Sequence, residues 1–329
     1  MTTVTESRPV GSAADRPGEI RAVPVRHPGR WVAITIIVVL TGMLVHMLVT
    51  NDAFDWHFVF QAMNQQPVIN GFIKGTLLVT ALSMLVGVVG GIILAVMRLS
   101  DNPILSGVSW VFTWFFRSVP RYILLFTMGT LGILFQQGIS LGVPFDWKIM
   151  DWLGLSGDWR FANLDANQIF TGIIAGVIGL GLSEAAYMAE IARAGILSVD
   201  KGQAEAAQAL GMGSGKTMRR IVLPQAMRVI VPPTGNETIA MLKDTSLLLA
   251  VPVISETFYQ LQSIGSTYYK TFPIAVAATL YYLGATSVLM VGQYFLERHF
   301  GRGFGTKAPR AARPAGVPAA VPPGGAGGV

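Results

Sequence analysis

Residues 273–296 contain no charged side chain, and residues 32–49 contain none either. A helix rises about 1.5 Å per residue, so each run is long enough to cross a hydrocarbon core about 30 Å thick. A chain that carries such runs folds in a bilayer or buries them at great cost. Composition agrees: 329 residues are 52% hydrophobic and 13% charged, against about 25% charged in soluble domains. The 37 glycines and 18 prolines fit membrane helices, in which neighbouring helices re-satisfy freed backbone groups. With no cysteine and with His27, His46, His57 and His299 scattered, disulfides, thiolate zinc, iron–sulfur clusters and a clustered metal site are not expected.

Six apolar windows emerge, at 32–49, 72–97, 103–135, 169–196, 236–258 and 273–296. They predict an all-α integral membrane protein with six transmembrane helices. The third window contains Arg117, Pro120 and Arg121, so it is read as a surface helix that enters the bilayer near Tyr122. The fourth carries Glu184, Glu190 and Arg193, and the fifth Glu237, Lys243, Asp244 and Glu256. Basic residues gather in the N-terminal tail, between windows four and five, and in the C-terminal tail, whereas the 140–166 loop is acidic. The positive-inside rule then places both termini in the cytoplasm. That topology accounts for the sequence pI of about 9.7 without nucleic-acid binding. Residues 1–30 and 299–329 are expected to be disordered cytoplasmic tails, 31–67 an extra transmembrane helix with an outer loop, and 68–298 the main membrane domain. A first span that begins behind about 30 polar residues and is twice the length of a signal h-region is expected to remain as a helix.

Residues 211–217, Gly-Met-Gly-Ser-Gly-Lys-Thr, imitate a phosphate loop. A P-loop ending at Gly215-Lys216-Thr217 needs glycine where Leu210 stands, and a dinucleotide fingerprint from Gly211 needs glycine where Lys216 stands. The preceding Ala204–Leu210 run is a strong helix former and not a buried strand. Gly211 is read as the end of that helix.

The same segment carries Glu205-Ala206-Ala207, Gly211, and Ile221-x-Leu223-Pro224, separated by three and nine residues. This matches the EAA signature at every position and resembles the transmembrane subunits of ATP-binding cassette importers. Ala189-Glu190-Ile191-Ala192-Arg193, Pro224-Gln225-Ala226, Asn236 and Lys243-Asp244-Thr245-Ser246 narrow the resemblance to the polar amino acid permeases of the histidine/glutamine/glutamate type. Gly75-Thr76-Leu77 and Phe115-Phe116-Arg117 fit it upstream, and it covers about residues 70–298. The resemblance implies a five-helix type I permease core, with the window at 32–49 as one extra N-terminal helix. It implies two cytosolic ATPase subunits that grip the EAA loop (about 198–226), a second permease subunit, identical or related, and an extracytoplasmic amino acid-binding protein. ATP and magnesium then belong to the ATPases, no cofactor to this chain, and the location is a bacterial cell membrane. One departure stands out: many members have Gly-Thr before the proline and an apolar residue after it, where this chain has Ser118-Val119 and Arg121.

Physical reasoning runs alongside. Glu205 offers a hydrogen bond or ion pair, Ala206 and Ala207 a slim surface for a partner backbone, Gly211 the reversal, and Leu223-Pro224 the end of the next short helix. Ionisable groups inside a bilayer cost about 2.5–3.5 kcal/mol and mark functional sites. Glu184, with Tyr187 on the same helix face, can hold a substrate ammonium, or else Glu184 pairs with Lys243. Lys243 can meet a substrate carboxylate or serve as a strut; Asn236 lies on its face, and Glu237 and Asp244 on the adjacent one. Glu190 and Arg193 are read as links to the coupling segment. An ion-coupled transporter or channel, or a membrane enzyme, would lack the EAA pattern; the first would show inverted repeats and the second a polar cluster at the membrane face.

Overall fold

The chain divides into two units, Met1–Phe54 and Asp55–Val329. The computed structural model describes residues 28–136, 138–157, 159–251 and 253–301. Most of both expected tails lies outside these residues, although Pro28–Arg30 and His299–Phe300 are helical. The first unit is one helix, α1 (Pro28–Thr50), with a 3-10 turn at Asp52–Phe54. None of the residues of α1 is buried; an apolar helix exposed all round is matched to lipid, where its own backbone bonds suffice.

The second unit begins with α2 (Trp56–Met63), capped by the Asp55 carboxylate, which accepts the Phe58 N–H at 3.2 Å. A helical run follows in three pieces: α3 (Gln66–Asn70), a π-helical segment (Gly71–Leu77) and α4 (Leu78–Arg98). Then come α5 (Pro103–Ser118) and α6 (Arg121–Leu134). Between them Val119 is extended, with φ −89° and ψ 129°, as expected before proline. After α6, β1 (Ile139–Gly142) and β2 (Arg160–Leu164) pair antiparallel around α7 (Asp146–Leu153). Helices α8 (Ala166–Ile169), α9 (Gly172–Leu197), α10 (Lys201–Ala209), α11 (Ser214–Thr217), α12 (Leu223–Asp244), α13 (Thr257–Tyr268) and α14 (Thr271–Phe300) complete the order. The protein is therefore mostly helical and not purely so, because the acidic loop between the third and fourth windows folds as a β-hairpin.

Four described helical segments are long and apolar enough to cross a membrane: Pro28–Thr50, Gln66–Arg98, Gly172–Leu197 and Thr271–Phe300. The α6 segment is apolar but short, at about 21 Å. Window five needs the largest correction. Its helix starts at Leu223 and ends at Asp244, a 3-10 turn covers Thr245–Ala250, and Glu256 caps the separate helix α13. Hydropathy misplaced it because Arg228, Pro232, Pro233 and Glu237 dilute the apolar signal in the first half. Pro232 and Pro233 lie inside α12 without ending it, and at the same level the Gln293 side-chain amide of α14 donates to the Pro232 carbonyl at 2.9 Å. Leu223-Pro224 does not end a helix either. It opens α12, and α11 runs into it through a π-helical turn (Met218–Val222) in which Leu223 N–H bonds the Met218 carbonyl five residues back.

Helix α9 packs against α4, α5, α6 and α12. Its buried face is mostly small, including Gly176, Gly179, Gly181, Ala185, Ala189 and Ala192. Gly87 and Gly91 of α4 lie against Glu184 and Met188, so close that a Cβ on either glycine would strike those side chains. Small residues let membrane helices approach without a hydrophobic drive between them.

A second core joins Phe58, Val59, Ala62 and Val68 to Leu261, Ile274 and Ala277. At its edge Glu256, 0% exposed, caps α13 by accepting Phe258 N–H at 2.7 Å and Tyr259 N–H at 3.1 Å. Its other oxygen accepts from Thr76 at 2.9 Å and Tyr282 at 2.6 Å, so one carboxylate ties the π segment, α13 and α14. Glu256→Ala removes an N-cap worth about 1–2 kcal/mol and orphans buried donors at about 1–3 kcal/mol each. A fall in thermal stability of the purified protein is expected, with less than half of that fall in Glu256→Gln.

Lys270 donates to Asp55 at 2.5 Å and joins the start of α14 to α2. That bond, helped by the Phe58 amide, holds the Asp55 carboxyl below its ordinary value of 3.8. A lowered native value means the contribution is present above about pH 4 and disappears as pH falls through the native value. Thermal melts between pH 8 and pH 5 should therefore show no Asp55-dependent change, and below pH 4 the wild type should converge on Asp55→Asn.

Candidate functional site

Near the middle of α9, Glu184 is 0% exposed, yet among the described residues it pairs with no lysine. Its partner is Arg121, whose Nη2 lies 3.0 Å from Glu184 Oε2. The same guanidinium reaches Asp244 through Nη1 and approaches Glu237 at 3.8 Å, so three carboxylates from α9 and α12 converge on one cation from α6. Tyr187 lies one turn along α9, its ring centroid 4.9 Å from the Arg121 guanidinium and 5.5 Å from that of Arg117. The arrangement breaks two local rules. Arg121 is the first residue of α6, where the macrodipole favours an acid, and Asp244 is the last of α12, where it favours a base. Each is tolerated because the other is there. Glu184 Oε1 is buried with no hydrogen-bond partner among the described residues. The cluster thus has an excess of negative charge and a free acceptor inside a helix bundle.

Of the residues singled out from sequence, the structure brings together Glu184, Tyr187 and Asp244, with Glu237. It leaves out Lys243, which is exposed and in no ion pair among the described residues, and Asn236, also exposed. The expected Glu184–Lys243 pair is therefore replaced by Glu184–Arg121. The missed residue carried a signal, a charge directly after the proline that opens an apolar helix. Glu190 and Arg193 bond each other at 2.8 Å within α9, and among the described residues neither forms an ion pair with the 198–226 segment.

The second site is the hairpin of α10 and α11. Asp200 caps α10, accepting the Gly202 N–H at 2.7 Å. Gly211, with φ +78°, ends it in a Schellman pattern: Gly211 N–H bonds the Gln208 carbonyl at 2.8 Å and Met212 N–H the Ala207 carbonyl at 3.0 Å. Residues 211–217 thus form a helix stop and a new start. Glu205 and Ala206 face out, whereas Ala207, 5% exposed, is buried and does not offer itself to a partner. Ile221 is half-buried in the π turn, and Leu223 and Pro224 are exposed at the head of α12. Leu210, 84% exposed at the tip, is an apolar residue that the EAA pattern does not include.

Residues 87–302 match the family described as binding-protein-dependent transport system inner membrane component. The arginine transport system permease protein ArgU of Corynebacterium glutamicum is 44% identical over 294 residues, 89% of this chain and 87% of that protein. The probable amino-acid permease protein YxeN of Bacillus subtilis is 32% identical over 78% of this chain and 100% of its own. The solved structure of an amino acid ABC transporter with histidines has 29% identity and a TM-score of 0.53, covering 71% of this chain and 94% of that one.

Proposed function

The chain belongs to the binding-protein-dependent transport system inner membrane components and is a permease subunit of an amino acid ATP-binding cassette importer; we propose that its cargo is cationic, of the arginine type. The observation that carries this reading is the cluster of three carboxylates around one guanidinium where the start of α6 and the second half of α12 meet the middle of α9. Charge that a bundle holds at this cost serves a ligand or a pathway, and an excess of acid suits a cation and repels an anion. The name of the 44% identical relative, an arginine permease, points the same way.

On this reading six helices span the membrane, α6 and α12 completing the four long apolar ones, with both termini in the cytoplasm of a bacterium. The α10–α11 hairpin meets two ATPase subunits, which hold ATP and magnesium. A second permease subunit completes the pathway, and an extracytoplasmic binding protein delivers the amino acid. The test is uptake of labelled arginine by the full importer in vesicles, challenged with unlabelled lysine, glutamine and glutamate. Competition by lysine and not by glutamate is expected; competition by glutamate or glutamine alone overturns the reading.

A further inference from the structure

Arg121 lies among the carboxylates that a cationic cargo would need. Its guanidinium bridges Glu184 and Asp244 through two different nitrogens fixed in one plane, a fork that a guanidinium presents preorganised and that a single ammonium nitrogen matches less well. The ring of Tyr187 lies against it at 4.9 Å. Arg121 is still 14% exposed and opposes the dipole of its own helix, so it is held by its partners and not by local preference. The fully buried Glu184 keeps Oε1 without a donor among the described residues, an acceptor beyond those Arg121 uses.

We propose that Arg121 is a tethered stand-in for a guanidinium-bearing substrate: the cargo displaces it from Glu184 and Asp244, and its return expels the cargo. This rests on the cationic-cargo reading and adds to it a specificity-determining residue and a preference for guanidinium over ammonium. Displacement removes the ion pairs that tie the start of α6, next to the break at Val119–Pro120, to α9 and α12, so occupancy of the site is felt by three helices. A competitor that fills a site nine-tenths of the time weakens apparent affinity about tenfold.

The experiment measures arginine and lysine binding to the complete permease–ATPase complex in lipid nanodiscs, without binding protein, for wild type, Arg121→Gln and Arg121→Lys. Removing the stand-in should tighten arginine binding about tenfold in Arg121→Gln and less in Arg121→Lys, with lysine tightening by a similar factor and remaining the weaker ligand throughout. Unchanged or weaker arginine binding in the variants overturns the proposal and leaves the cationic-cargo reading intact. Binding of glutamine or glutamate but not arginine by the wild type overturns that reading instead. If Arg121→Gln does not assemble, Arg121→Lys decides alone: tighter arginine binding supports displacement, and unchanged binding refutes it.

Discussion

Glu205→Arg is expected to abolish ATP-driven uptake while the chain still inserts and folds. Glu205 is exposed on α10, beside exposed Ala206 and two turns from the Gly211 stop, and it has no ion-pair partner among the described residues. Exposed substitutions of this kind change stability by about 0.5 kcal/mol or less, so a folding defect does not account for a loss of transport. On the coupling reading the change places a cation where the ATPase meets an acid, and like charges across an interface cost several kcal/mol. Two measurements decide: uptake in reconstituted vesicles and co-purification of the ATPase with the tagged permease. Wild-type uptake by the variant sinks the coupling role of this hairpin. Leu210→Ser, which removes the exposed apolar tip, should weaken co-purification without the charge reversal.

Glu184→Gln is expected to have the second large effect. The side chain keeps its shape, but Arg121 loses the charged partner at 3.0 Å and the site one of its three carboxylates. Truncating a buried hydrogen-bonded charge pair costs about 2–5 kcal/mol, so arginine uptake should fall by at least about 30-fold. Retained thermal stability together with lost uptake would place the effect in transport. Unchanged arginine kinetics would make the cluster an internal strut. Asp244→Asn should have the smaller effect, because its side chain is 29% exposed where Glu184 is fully buried.

The contrast between the two sites shows what a one-dimensional reading reaches. Within the coupling hairpin the functional residues lie within about twenty positions of each other and their spacing is their geometry: a helix, an αL glycine, a restart. That is why Glu205 and Gly211 could be placed from the chain alone, and why only the facing of Ala207 and the direction of Pro224 needed correction. The carboxylate cluster draws Arg121, Glu184, Glu237 and Asp244 from three helices up to 123 positions apart. Periodicity put Glu237 and Asp244 on one face, but it does not say which helix that face meets. Gly87, which leaves room for Glu184, reads in sequence as one more apolar small residue.

Sequence by itself determined that this chain is a membrane protein, that its scarce charges gather in particular helices and loops, and that one helical hairpin carries the EAA spacing. Those conclusions follow from hydrophobic transfer and from contacts between near neighbours, which leave periodic marks. Only the tertiary structure decided that Arg121 and not Lys243 meets Glu184, that Glu256 ties three elements together, and that the polar helix α12 begins at Leu223. Pairing between distant charges depends on which helices pack together, and close approach at glycines such as Gly87 sets that packing, a relation between chain segments that leaves no mark in either one.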